Sequence, residues 1–324
     1  MKQLLTFVLI SLLFGCGLAG SKAHVSFEHG EDGALAAAIA EDASISVVSS
    51  ISEGIVVWDL EFNQKIYQWS HQNEGEITNI VTLVSIAFDN SHVVTADREA
   101  FAIWNLDGGE PLGFWRIDES TIRDIAVSNG GRGILVGRSN GKVLFFEHET
   151  GRRLEFLGHQ ERINSIAISP NGYYALTGGN DYVAYLWDTR SGQVIYRFDH
   201  PSRVTKVALD SQGRYAFTAD SQKHARIWDL QTGQEVSRLN YIQRQKIFSA
   251  ARFSEDGKWL LTGSPDRQLA AWEVQTGELA QEWRVRPGKS SLTKSSVIYG
   301  VSFYGDNQVI SESSSGWAEV WDRF

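Results

Sequence analysis

Residues 137–142 read "GRSNGK", in which Gly137, Ser139 and Gly141 satisfy the spacing G-x-S-x-G. In hydrolases that spacing holds a serine at a sharp strand-to-helix turn, where its hydroxyl can attack a carbonyl. The chemistry also needs a histidine to take the hydroxyl proton and an acid to orient that histidine. The chain has eight histidines: His24, His29, His71, His92, His148, His159, His200 and His224. None belongs to an i, i+4 pair or an H-E-x-x-H, the arrangements that put two imidazoles on one zinc ion. Neither a phosphate-cradling glycine loop nor a calcium loop occurs, so no metal and no cofactor is expected.

The elements that would have to position Ser139 argue against a nucleophile. It lies between two alternating apolar runs, "GILVGR" and "KVLFFE", and Asn140-Gly141 beside it is a hairpin turn signal. A nucleophile elbow requires a helix next, and no helical periodicity follows. Ser139 is therefore expected to be a turn residue, with no catalytic residue in the chain.

The same layout recurs along the sequence. Residues 158–198 read "GHQERINSIAISPNGYYALTGGNDYVAYLWDTRSGQVIYRF", and residues 200–239 repeat the plan as "HPSRVTKVALDSQGRYAFTADSQKHARIWDLQTGQEVSRL". Each copy ends its third run on an aromatic and a polar residue. The pairs are Trp58-Asp59, Trp104-Asn105, Phe146-Glu147, Trp187-Asp188, Trp228-Asp229, Trp272-Glu273 and Trp321-Asp322, spaced by 41 to 49 residues. Within a copy, short alternating runs are broken by turn pairs such as Asn171-Gly172 and Ser191-Gly192. One such four-stranded sheet cannot bury both faces, but radial stacking of several can.

This spacing, the terminal Trp-Asp pairs and Gly158-His159 resemble the WD-repeat family over residues 24–324. The resemblance implies an all-β, seven-bladed β-propeller of four-stranded antiparallel blades. The last copy stops two residues after Trp321-Asp322, whereas "AHVSFEH", Ala23 to His29, precedes the first copy. An N-terminal clasp strand is thus expected to complete the last blade. In the family a buried hydrogen-bond chain links Trp, Ser/Thr, His and Asp; Trp187, Thr177, His159 and Asp181 match all four places and are expected to be structural. The fifth copy offers Trp228, Thr218 and His200 with Gln222 at the acid's place, and the sixth offers Trp272, Thr262 and Asp266 without a histidine.

Residues 1–15 read as a signal peptide, with Lys2 ahead of an apolar stretch from Leu4 to Phe14 that is too short to span a bilayer. The chain's one cysteine follows directly. The run Leu13-Phe14-Gly15-Cys16 resembles the lipobox of bacterial lipoproteins, which implies lipidation of Cys16 and a tether over residues 16–23. Gly17 after the cysteine, rather than Asp, favours the outer membrane by the same resemblance, so the expected place is the periplasmic side of the bacterial cell envelope.

The net charge of −9 gives nucleic-acid binding no electrostatic support. Acidic residues concentrate in the turns assigned to one face, called the bottom. On the opposite, top face, "WRVRPGKSSLTKSS" carries Arg284, Arg286, Lys289 and Lys294, and the neighbouring "LNYIQRQKIFS" carries Arg244 and Lys246 beside Tyr241 and Phe248. Arginine with aromatics is the composition of binding hot spots. These six residues are expected to face an acidic protein partner. The protein is expected to be a monomeric, non-enzymatic scaffold anchored to the membrane by lipid. The alternative is a propeller enzyme or a sensor for an envelope small molecule or glycan, for which polar groups would have to converge in a central channel.

Overall fold

Blade four shows how the sequence builds the repeating unit. Its strands are Ile163–Ile168, Tyr174–Gly179, Val183–Asp188 and Val194–Asp199. The inner three bury most of their residues, while the outer strand "VIYRFD" is largely exposed. The first hairpin turns on Asn171, whose side-chain oxygen accepts from the Ser169 hydroxyl (2.7 Å) and the Tyr173 N–H (3.0 Å).

The computed structural model describes residues 22–71, 80–243, 245–288 and 295–323. Seven four-stranded antiparallel sheets form from them, each ordered from a central to an outer strand. This is the expected seven-bladed propeller. The only helical piece among the described residues is a 3-10 turn, Asn129–Gly131. The core lies between blades rather than within them. Leu135, Val143 and Phe145 of blade three, for example, pack on Ile163, Ile166 and Trp187 of blade four. A two-faced sheet must bury both faces, and each neighbour covers one.

Closure follows the expected clasp. Strand Val25–Glu28 pairs antiparallel with Trp317–Asp322, Val25 facing Val320 and Glu28 facing Trp317. The His24 N–H donates to the Val320 carbonyl (2.7 Å) and the His29 N–H to the Gly316 carbonyl (2.8 Å), extending the ladder at both ends. The seventh blade thus gains its outer strand, and the free edge of the third is covered.

The inner strands begin at the top face and run to the bottom. Residues 1–15, Cys16, Arg244, Lys289 and Lys294 lie outside the described residues.

Candidate functional site

Ser139 sits in the hairpin between Ile134–Arg138 and Val143–Phe146. Its N–H donates to the Thr121 carbonyl (2.9 Å), and its hydroxyl oxygen accepts from the Thr121 N–H (3.3 Å). The serine is a turn clip joining the top of blade three to its own entry loop, and no helix follows it.

The His, Thr and Asp side chains that resemble catalytic groups are bound to each other inside blades. In blade four His159 bridges the Asp181 carboxylate (Nδ1, 3.0 Å) and the Thr177 hydroxyl (Nε2, 2.9 Å). Burial opposes ionisation of Asp181, but hydrogen bonds from His159 and the Gln160 N–H hold its pKa below the ordinary value. The chain stops there: the buried Trp187 Nε1 has no acceptor, and its ring instead stacks on Phe156 at 4.5 Å.

Blade five is more complete than its sequence indicates. Trp228 donates to Thr218 (2.8 Å), and His200 meets the same hydroxyl at 2.9 Å. The acid is Asp220, 3.6 Å from His200 Nδ1, so the carboxylate comes from the end of the second strand and Gln222 needs no substitute role. Blade two holds a set that sequence spacing misses. Trp104 and His71 both reach the Thr95 hydroxyl at 2.8 Å, and Asp97 lies 3.6 Å from His71 Nδ1. His71 stands 24 residues before its threonine, against 18 in blades four and five.

Lys246 is placed differently from its expected role. It is buried, its ammonium bonds to the Gln268 side-chain oxygen, and it lies over the rings of Tyr241, Phe248 and Trp272 at 5.6–5.9 Å. Burial pulls its pKa down against the attraction of Asp266 and Glu282. A lysine therefore fills the polar end of blade six, beside the Trp272–Thr262 hydrogen bond (2.8 Å), where no histidine is present. Arg286 is also engaged. It ion-pairs with Glu319 (3.2 Å), donates to the Ser26 hydroxyl (3.0 Å) and covers Trp317 at 4.1 Å, stapling the clasp strand to its neighbour. Arg284 remains exposed at the end of the strand Leu279–Arg284.

The central channel encloses about 200 Å³ and is lined mainly by small and apolar residues of the inner strands, among them Ala37, Ile86, Val127 and Val207. Of its charged groups, Glu41, Asp124 and Arg252 are engaged. Asp124 accepts from the Ile166 N–H (2.8 Å) and the Ile125 N–H (3.0 Å), tying inner strand three to four. Burial raises its pKa against the attraction of Lys206 and these hydrogen bonds. At the bottom Arg252 reaches the Glu41 carboxylate (2.9 Å) and the Ile39 carbonyl (2.7 Å), bracing blade six against blade one. Among the described residues no group of three His, Cys, Asp or Glu side chains could hold a metal ion.

The family described as WD domain, G-beta repeat, matches residues 151–188, 192–229 and 239–273. No curated protein matches the chain. The matched segments fall mainly in blades four to six, and the remaining blades share their strand order. Three matched WD40 repeats within a seven-bladed ring of one strand plan support the conclusion that the chain is a WD-repeat β-propeller.

Proposed function

We propose that the protein is a non-enzymatic interaction scaffold, tethered by lipid on Cys16 to the periplasmic side of a bacterial outer membrane, and that its top face docks an acidic protein partner. WD40 propellers commonly act as protein-interaction scaffolds. One observation carries the reading here. The residues that resemble catalytic groups are bound to one another inside blades, and Asp124, Glu41 and Arg252 of the channel are held by neighbouring strands, which leaves the faces as the main chemically available surface.

The clasp orients that surface. Val25 lies at the bottom end of the clasp strand, and residues 17–23 span at most about 25 Å at roughly 3.5 Å per residue. A lipid on Cys16 would hold the bottom near the membrane and turn the top, with Arg284, Arg244, Lys289 and Lys294, toward the periplasm. Exposed basic residues steer an acidic partner and make its capture salt-dependent. Lys246 and Arg286 belong to the fold in this scheme. Labelled fatty-acid incorporation tests the anchor: Cys16→Ser should abolish labelling and release the protein from membranes, and unchanged attachment would contradict it.

A further inference from the structure

Hydrogen bonds between neighbouring inner strands follow one rule, and one amide is left out of it. In an antiparallel pair only alternate residues turn their N–H groups to the partner strand. The Ser169, Asp210 and Ser254 N–H groups donate to Tyr174, Tyr215 and Trp259 across their hairpins, so Ile166, Val207 and Ala251 turn their N–H groups away from their own sheets. The Ile166 N–H donates to Asp124 of the preceding blade (2.8 Å), and the Val207 N–H donates to Ser165 of the preceding blade (3.2 Å). Before Ala251 the same place is held by Lys206, which faces Ala219 as Asp124 faces Gly137 and Ser165 faces Gly178. A lysine ammonium donates and cannot accept. Among the described residues no side chain accepts from the Ala251 N–H.

Both donors line the central channel. Lys206 is half-buried there and makes no ion pair or hydrogen bond among the described residues. The other cation lining the channel, Arg252, is held by Glu41 and the Ile39 carbonyl. Asp124 attracts the Lys206 ammonium, but its carboxylate lies beyond ion-pair distance and is turned to the Ile166 and Ile125 amides. Around these groups Ala38, Val207, Ala208 and Val301 give the channel apolar walls. An ammonium and a free amide N–H in such an enclosure hold an anion more strongly than they would in open water.

The surroundings select the anion. Two donors at one junction match the two oxygens of a single carboxylate. Asp124 shares the channel and repels a second negative charge, which disfavours phosphate, sulfate and dicarboxylates. The apolar walls favour a ligand that carries a short alkyl chain. The cavity of about 200 Å³ limits it to a small molecule.

We propose that the Lys206 ammonium and the Ala251 amide form a binding site inside the channel for a small monocarboxylate with a short alkyl chain, each donor holding one oxygen. The site goes beyond the docking role and does not depend on it. Saturation-transfer NMR with butyrate, on the full chain in chloride-free buffer, tests it. Saturation should pass from the channel wall to the butyrate alkyl protons, and affinity should fall at least roughly tenfold in Lys206→Met, which keeps the stem and removes the charge. Lys206→Gln should lose binding to the same degree, so the result does not hang on one variant's folding. Lys223→Met, which removes an exposed lysine, should bind as wild type does. Butyrate should raise the melting temperature of wild type but not of Lys206→Met, whose own melting temperature should hold or rise. Loss of fold would not produce that combination. No transfer to butyrate in wild type, or equal affinity in the Lys206 variants, overturns the site. An equal loss in Lys223→Met makes the binding a surface charge effect, and displacement by equimolar phosphate makes the site one for another class of anion; either result contradicts the proposal.

Discussion

The imidazole of His29 and the carboxylate of Glu312, 283 residues apart in sequence, meet at 2.5 Å with neither side chain exposed to solvent. Glu312 stands on the second strand of blade seven at a place where the other six blades carry Ser49, Ala96, Gly137, Gly178, Ala219 and Gly263. A Cβ on Gly178 would meet Val204 and Val207 of the next blade, so small residues keep the blades in apolar contact there. Across from Glu312, blade one puts Ala37 where blade four has Ile166, and the glutamate fills the space. It accepts from Ser46 as well (2.8 Å), while His29 stacks on Trp58 at 4.3 Å, the place held by Phe156 over Trp187. The junction where the ring closes thus carries a buried histidine–glutamate pair at a place where the other blades keep a small residue.

Removing one partner of such a pair strands the other charge. His29→Phe or Glu312→Ala alone should destabilise the protein by about 3–5 kcal/mol, and the double variant by clearly less than the sum. A double-mutant cycle by chemical denaturation checks this, and additive losses would show that the two groups do not depend on each other.

The same pair sets a pH dependence. Burial alone would lower the pKa of His29, but the charge and hydrogen bond of Glu312, with a hydrogen bond to Asn63, raise it above 6.5. A raised folded value means that the protonated pair's stabilisation is full below pH 6.5 and is lost as pH climbs through the folded value. The depressed carboxyls Asp97, Asp181 and Asp220 have the opposite sign, and their contribution fades as pH falls through their ordinary range toward lower values. The melting temperature should therefore drop on the alkaline side above pH 6.5, and His29→Phe/Glu312→Ala should flatten that limb without altering the acid one.

Deleting Ala23 to His29 removes the clasp strand together with this ion pair. The edge of Trp317–Asp322 would then be bare, and aggregation or a large fall in melting temperature is expected. An unchanged melting curve would contradict the closure.

Much of the fold is legible in the sequence because its signals are local. The seven aromatic-polar pairs and the hairpin turns recur in phase, and a missing strand at one end matches a surplus strand at the other. The polar interior is less legible. His71 stands farther in sequence from its threonine than its counterparts do, Asp220 enters from a strand rather than a turn, and Glu312 looks like any polar residue of an exposed strand face. The candidate site was the least visible. Lys246 and Arg286 carry the right charge on the right loops, but packing against Trp272 and pairing with Glu319 give them to the fold.

Blade one offers a gain rather than a loss. Trp58 Nε1 is buried without an acceptor, and Val48 occupies the place where Thr218 and Thr262 accept from Trp228 and Trp272 in blades five and six. Val48→Thr should supply the acceptor and stabilise the protein by about 1 kcal/mol in chemical denaturation. A destabilised variant would mean that the hydroxyl finds no partner.

The docking claim is tested most directly by capture from solubilised membranes at low salt, comparing wild type with a folded variant carrying Ser at Arg284, Lys289 and Lys294 and keeping Arg286. The account predicts that at least one acidic protein co-purifies with wild type, is depleted in the variant, and leaves the wild type as salt rises. An identical set of proteins bound to both forms, at equal yield, would contradict it.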